Sequence, residues 1–420
     1  MHILPWCRRL LTLATTFCLI ACNSAVLAET TAGTGGPAKA INLDLTSTVK
    51  AAAPVHLSDN KSVNIVVGGN TQTITAGSQL TAAERVAVFQ VMRTGQQSIQ
   101  LGAQGNAVGG SFTIGARLSQ HISNLVIPAG VTAVDNASRS ASLNLTGNLT
   151  NAGTLYVLST NPAITTATIS AANISNLQGA LLSTILPAGG LPGFSAALAN
   201  LNLSLNAVNS IVNAGRIQTA GTLTATAGSS ITNTMTAVMQ AVSNVNLQAP
   251  NIVNQGVVAS QLANINALTA SLTNSGTIQA LSGSIAIQNL TGNTLSINNT
   301  LGTIAAKDNL LFETLATVVD SNHNVLSKAN LLILGGNLSA GSVFLTSPDG
   351  NVDVETESIT GGVHVDGGIA MVGTNHGGLD IVSMHVSSDP IFFSHDQNAG
   401  LVLSGLGSTA GGDFIALVGR

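Results

Sequence analysis

Charge is the scarcest property of this 420-residue chain, with only 7% of residues Asp, Glu, Lys or Arg. The 167 residues between Arg139 and Lys307 hold a single charged side chain, Arg216. Clustered Lys and Arg are missing, which argues against a nucleic-acid ligand. Aromatics make up 3%, and the only Trp, Trp6, and only Tyr, Tyr156, leave little for a conventional globular core. Disorder is not the alternative, because mean hydropathy is +0.41 and charge is low. A thin stack of β coils fits, since its narrow interior is filled by Val, Ile, Leu and Ala. All three cysteines, Cys7, Cys18 and Cys22, fall in the first 22 residues, so a chain cleaved after Ala28 has no thiol. Beyond the leader no apolar run reaches the roughly 18 residues of a membrane helix, and the aromatic girdles of an outer-membrane barrel are missing.

What is present is a recurring unit: apolar, any, Asn, any, Gly, any, apolar. It occurs around Asn151 and Gly153, Asn213 and Gly215, Asn254 and Gly256, and Asn274 and Gly276, with a degenerate copy at Asn233. The spacing predicts a solenoid of about 20 residues per coil, with the interval from Asn151 to Asn213 counted as three coils. The expected fold is all-β, a right-handed parallel β-helix of roughly 15 coils. Asn at equivalent corners is expected to stack and hydrogen-bond along the axis. The following Gly is expected to supply positive φ at the bend.

Residues 1–28 read as a signal peptide: Arg8 and Arg9, an apolar stretch from Leu10 to Ala21, then Val26-Leu27-Ala28. Leu19-Ile20-Ala21-Cys22 offers a second reading, a lipoprotein signal with a lipid anchor on Cys22. Either one exports the chain to the extracellular space or the outer membrane and cell surface, and the only membrane contact expected is that anchor. Residues 29–60 are expected to be an irregular lead-in. Residues 61–140 are read as an N-terminal cap with the first strands, including a hairpin or first rung over Ser62 to Thr75. Thr81-Ala82-Ala83-Glu84 is a capping box that predicts a helix ending near Thr94-Gly95, placed to cover the first coil or to cross the outside of the coils. Residues 141–306 are the uncharged Asn/Gly coils, interrupted at Leu181 to Ala196 by a Pro-containing loop or short helix that covers a side of the coil. Residues 307–420 are more polar coils carrying Gly-x-Val strings at Gly341, Gly350 and Gly361. The array ends directly after a strand, as a fragment of a longer array or one protected by a neighbour through end-to-end association.

These units resemble the repeats of filamentous haemagglutinin-type adhesins and related β-strand repeat exoproteins of bacteria, over about 140 to 420. The resemblance implies a secreted, surface-displayed stalk that contacts cells, matrix proteins or glycans. Asn161-Pro162-Ala163 departs from the Asn-Pro-Asn-Gly string of the family's two-partner secretion domain. Among chemical candidates, Asp349, Asn351, Asp353, Glu355 and Glu357 are spaced by two and are expected on one strand face, as a calcium or acid/base patch or as a solvated surface. Such a patch is what a β-helix polysaccharide lyase or hydrolase would use, although Lys and Arg are sparse around it. His364, His376, His385 and His395 have no spacing that forces convergence on a metal. Asp320 to Asn324 begins like a calcium loop but has Val325 and Leu331 where Gly and Glu are needed. No catalytic residue, cofactor or metal is assigned from the sequence.

Overall fold

The computed structural model describes residues 122–418, apart from 139–140, 192–193, 290–293, 316–317, 320, 323–324, 349, 388–389 and 405–414. Before residue 122 it describes the strands Ala40–Leu43, Ser62–Val67, Asn70–Thr75, Gln97–Gly102 and Gly110–Ile114. The leader, Cys22 and the helix expected at 81–94 lie outside the described residues, so the structure carries no statement on the helical cap.

The fold is a parallel β-solenoid of about 12 turns. At about 4.8 Å per rung this is a rod on the order of 60 Å. Each coil contributes a strand to three sheets in turn. The first sheet stacks Ser230–Asn233 on Asn251–Asn254 and Ser271–Asn274. The second stacks Val238–Ala241 on Val257–Ser260 and Thr277–Ala280. The third stacks Val245–Gln248 on Ile265–Leu268 and Ile285–Gln288. Alternation along each strand aims every second side chain inward. Ile231, Ile252 and Leu272 line one inner column, and Val245, Ile265 and Ile285 another. The inner columns remain fully buried through Val352, Val354, Val363 and Val365, as the Gly-x-Val strings predict.

The coil count is lower than the roughly 15 expected because coil length is not constant. Asn176, not part of the recognised motif, lies between Asn151 and Asn213 in the first sheet. The interval is therefore two coils, with steps of 25 and 37 residues, rather than three of 20. The longer step contains the Pro-rich insertion. Its Leu186, Leu191, Phe194 and Ala197 pack over Val134, Tyr156 and Leu158 on the outside of the second sheet. Burial there pushes the Tyr156 hydroxyl above its ordinary pKa. A second insertion forms the antiparallel hairpin Val318–Val319 with Val325–Ser327.

At the N-terminal edge the pairing changes. Ser62–Val67 and Asn70–Thr75 form an antiparallel hairpin, and Ser62–Val67 pairs antiparallel with Gln97–Gly102. Gln97–Gly102 then starts the parallel stack by pairing with Ile122–Ile127. The hairpin occupies backbone groups that the parallel edge of this sheet would otherwise expose. Within the lead-in expected to be irregular, Ala40–Leu43 is a strand paired with Gly110–Ile114.

Seven asparagines stack at the corner between the first and second sheets. Nδ2 of Asn151 donates to Oδ1 of Asn176, and the chain continues through Asn213, Asn233, Asn254 and Asn274 to Asn299, each bond 2.6–2.8 Å. All seven of these Nδ2 groups also donate to a backbone carbonyl of the second sheet one coil on, as Asn213 does to Val238 at 2.9 Å and Asn254 to Thr277 at 3.1 Å. Only an NH₂ can donate to a carbonyl, so the amide orientation follows from the geometry. All seven amides are at most 1% exposed, and their polar groups are used rather than stranded.

The motif glycines have a different role from the one expected. Gly153, Gly215, Gly256 and Gly276 are not among the residues with positive φ. Instead, backbone carbonyls of the preceding coil sit where a Cβ would be: those of Pro128 and Val131 at Gly153, and of Ala237 and Thr234 at Gly256. Close approach of successive corners requires glycine here, not a left-handed conformation.

Candidate functional site: the outer faces of the C-terminal coils

Polar and aromatic side chains concentrate outside the coils from residue 331 to 404. In the first sheet the strands Leu331–Leu334, Val352–Thr356, Ala370–Thr374 and Ile391–Ser394 stack in register. Two outward columns result. One runs Leu332, Asp353, Met371, Ile391, and the other Leu334, Glu355, Gly373, Phe393. Asp353 and Glu355 thus share an outward strand face, as the spacing predicts. Among the described residues neither carboxylate is hydrogen-bonded or paired.

The other members of the acidic group diverge. The strand ends at Thr356, and Glu357 turns into the corner, where Oε1 accepts from Nδ2 of Asn375 at 3.2 Å. Asn351 precedes the strand and caps corners: its N–H donates to Oδ1 of Asn330 at 2.8 Å. Asp349 lies outside the described residues. A single five-residue acidic face is therefore not formed, because the strand carrying it has only five residues, Val352–Thr356, two of which face outward with acids.

Phe393 fills the space left by Gly373. A Cβ on Gly373 would fall within the Phe393 ring, so the ring lies over that glycine. His395 meets it edge-on, with centroids 5.3 Å apart and planes at 68°.

The third sheet carries a second group, which the sequence reading did not assemble. The strands Asn337–Ser347, Ser358–Gly367 and Leu379–Val386 align Phe344, His364 and Ser383 in one outer column, and Thr346, Asp366 and His385 in the next. His364 stacks on Phe344 at 4.5 Å and 12°. Its Nδ1 is 2.7 Å from Oγ of Ser383. His385 Nδ1 is 3.2 Å from Oδ1 of Asp366, an exposed pair. A register shift between the strands admits Val382 as an extra residue and brings Ser383 opposite His364. A hydroxyl beside an imidazole is the start of a nucleophile and base pair. Among the described residues no carboxylate is bonded to its other nitrogen, so the pair lacks an orienting acid.

His376 and His395 sit at other corners of the coil. Gly377, next to His376, donates its N–H to Oδ2 of Asp396 at 3.0 Å, and Asn398 donates to Oδ1 at 2.9 Å. These two bonds, with His376 nearby, hold the Asp396 carboxyl below its usual range. The four histidines are thus divided between faces. Among the described residues no three of His, Cys, Asp and Glu converge on a metal position. Ser321 and Asn322 are in a turn in the inserted hairpin, and Asp320, His323 and Asn324 lie outside the described residues.

Among the described residues one carboxyl group is inside the coil. Asp135, in the strand Val131–Asn136, follows Val131 and Ala133 inward and is paired in register with Val157 on the next rung. Burial pushes its carboxyl up to about 7. Its place two residues after the inward Ala133 and four after the inward Val131 is the signal that finds it.

Set beside protein-family models, curated proteins and solved structures, the chain finds no match in any of the three.

Proposed function

We propose that this chain is an exported bacterial surface or secreted stalk, a right-handed parallel β-helix of the filamentous haemagglutinin type that mediates contact with cells, matrix or glycans. One observation carries this reading. Along the first sheet the outward column through Asn173, Ser210, Ser230, Asn251, Ser271 and Ser296 holds only hydroxyls and amides. Neighbours within it are ordered against one another, as Ser210 and Ser230 are at 3.0 Å. A rigid, uncharged, hydroxyl-rich rod presents many weak polar contacts to a surface, and multiplicity makes such contacts effective. The leader at 1–28 supports export, with Cys22 as the alternative tether.

Fractionation of producing cells, with mass spectrometry of the mature N-terminus, tests the export. Binding of the folded protein to cell and matrix surfaces tests the adhesion. Recovery in the cytoplasm with Met1 retained, or no surface binding by a folded sample, overturns the corresponding half.

A polysaccharide-active enzyme is the second reading, favoured by Asp353 and Glu355 side by side on an open face. Turnover of a polysaccharide with calcium present, lost in Asp353→Ala, distinguishes it.

A further inference from the structure

We propose that the outer face of the first sheet between Leu331 and His395 is a binding site for a neutral pyranose polysaccharide, with Phe393 as its stacking surface and Glu355 as its hydroxyl acceptor. The proposal rests on the adhesive reading above and gives it a place and a ligand class.

The face combines the two chemistries a sugar ring asks for. A pyranose has apolar C–H faces and a rim of hydroxyl donors. Phe393 lies over Gly373, so its ring covers backbone there, and the side chain is partly exposed. His395 holds it edge-on. Met371 and Leu332 extend the apolar surface in the adjoining column, and Leu332 and Leu334 are partly or largely exposed. Glu355 stands one rung from Gly373 in the Phe393 column, and Asp353 lies beside it. Among the described residues both carboxylates are free to accept, and a charged acceptor makes a stronger hydrogen bond to a hydroxyl than a neutral one does.

Charge selects among sugars. Neither outward column contains Lys or Arg, so uronic-acid polymers and other polyanions are repelled by Asp353 and Glu355. Geometry favours a polymer. Rungs repeat at about 4.8 Å, close to the advance of an extended sugar chain per residue, so successive sugars of a chain lying along the axis meet successive rungs. A peptide strand added to the sheet is disfavoured because the backbone groups of these rungs already pair with the coils on either side.

The experiment is calorimetric titration of the full chain with cellohexaose, xylohexaose, mannohexaose and chitohexaose. Polygalacturonate serves as the anionic probe and a Lys/Leu amphipathic peptide as the protein-like probe. The expected result is millimolar or tighter binding of at least one neutral hexasaccharide. Phe393→Ala is expected to weaken it roughly tenfold, Phe393→Trp to retain or tighten it, and Glu355→Gln to weaken it several-fold. His364→Ala on the third sheet is expected to leave it unchanged. Circular dichroism and melting curves establish that each variant is folded. Since Glu355 is exposed, Glu355→Gln keeps the test informative if Phe393→Ala fails to fold.

Three outcomes overturn the proposal: no neutral hexasaccharide binds, Glu355→Gln or a folded Phe393→Ala binds as tightly as the wild-type chain, or polygalacturonate or the peptide is preferred. A protein that adheres to cells without binding hexasaccharides removes the site and leaves the stalk reading intact. A protein whose hexasaccharide affinity depends on Phe393 and Glu355, yet adheres to no surface, upholds the site and removes the adhesive reading.

Discussion

Asn233 donates from Nδ2 to Oδ1 of Asn254 at 2.8 Å, across the gap between two successive coils. The same Nδ2 reaches the carbonyl of Val257 at 3.1 Å. One side chain therefore ties the first sheet to its own next rung and to the second sheet. This double use explains why the corner selects Asn rather than Ser or Thr, which have a single donor.

Replacing Asn254 tests that selection. Asn254→Ala leaves the amide of Asn233, the Oδ1 of Asn274 and the carbonyl of Thr277 each short of a partner in a buried place. A cost of about 3 kcal/mol is expected in urea unfolding. Asn251→Ala, at an exposed position three residues earlier, is expected to stay within about 0.5 kcal/mol. Asn254→Asp is expected to be worse than Ala at neutral pH and less so in acid, because it places a carboxylate among buried groups.

Glycines separate in the same way. Gly256→Ala forces a Cβ against the carbonyls of Ala237 and Thr234, and backbone cannot rotate away as a side chain can. We expect a loss of about 2 kcal/mol or more, with the melting temperature as readout. Gly189→Ala, in the insertion, meets nothing within 4 Å and has no positive φ. It is expected to be neutral or slightly stabilising, by about 0.5 kcal/mol, through the unfolded chain.

The amide column ends at Asn299. The first-sheet register places Gly335 next in line, then Thr356, Thr374 and Ser394. Thr374 and Ser394 both donate to the carbonyl of Gly377. The Thr356 hydroxyl is fully buried and, among the described residues, has no partner. Thr356→Val keeps the shape and removes the stranded group, so it is expected to be neutral or to stabilise by about 1 kcal/mol. Thr374→Val, which breaks a bond, is expected to cost about that much. Paired urea titrations of the two variants decide it.

How much of this could be read from the chain depends on coil regularity. Asn213, Asn233, Asn254 and Asn274 recur at 20–21 residues because those coils carry no insertion, and their stacking was legible. Asn176 and Asn299 belong to the same column but are followed by Gly at the third position rather than the second, as Gly179 and Gly302, so the motif hid them. The insertion before Asn213 then turned two coils into an apparent three. The acidic strand was legible as far as Asp353 and Glu355, since alternation alone aims them outward. Glu357 was not, because the corner that ends the strand is set by the neighbouring coils. The pairing of Ser383 with His364 depends on a bulge at Val382, which breaks the alternation on which such reading relies.

Asp135 makes the rod sensitive to pH in an unusual direction. Its carboxyl is pushed from 3.8 to about 7 by burial in the coil interior. Between those values the folded chain holds a proton that the unfolded chain releases. Proton linkage then lowers stability as pH rises through this window, leaving the contribution complete below about 4 and lost above about 7. The shift corresponds to a few kcal/mol as an order of magnitude. Carboxylates held by partners act in the opposite sense and weaken folds in acid. Melting curves from pH 4 to 8.5 are therefore expected to fall with rising pH in the wild-type chain. In Asp135→Asn that slope is expected to flatten, with the gain in stability largest at the alkaline end and vanishing near pH 4. A variant that melts in parallel with wild type across the range would show that Asp135 is not protonated in the folded coil.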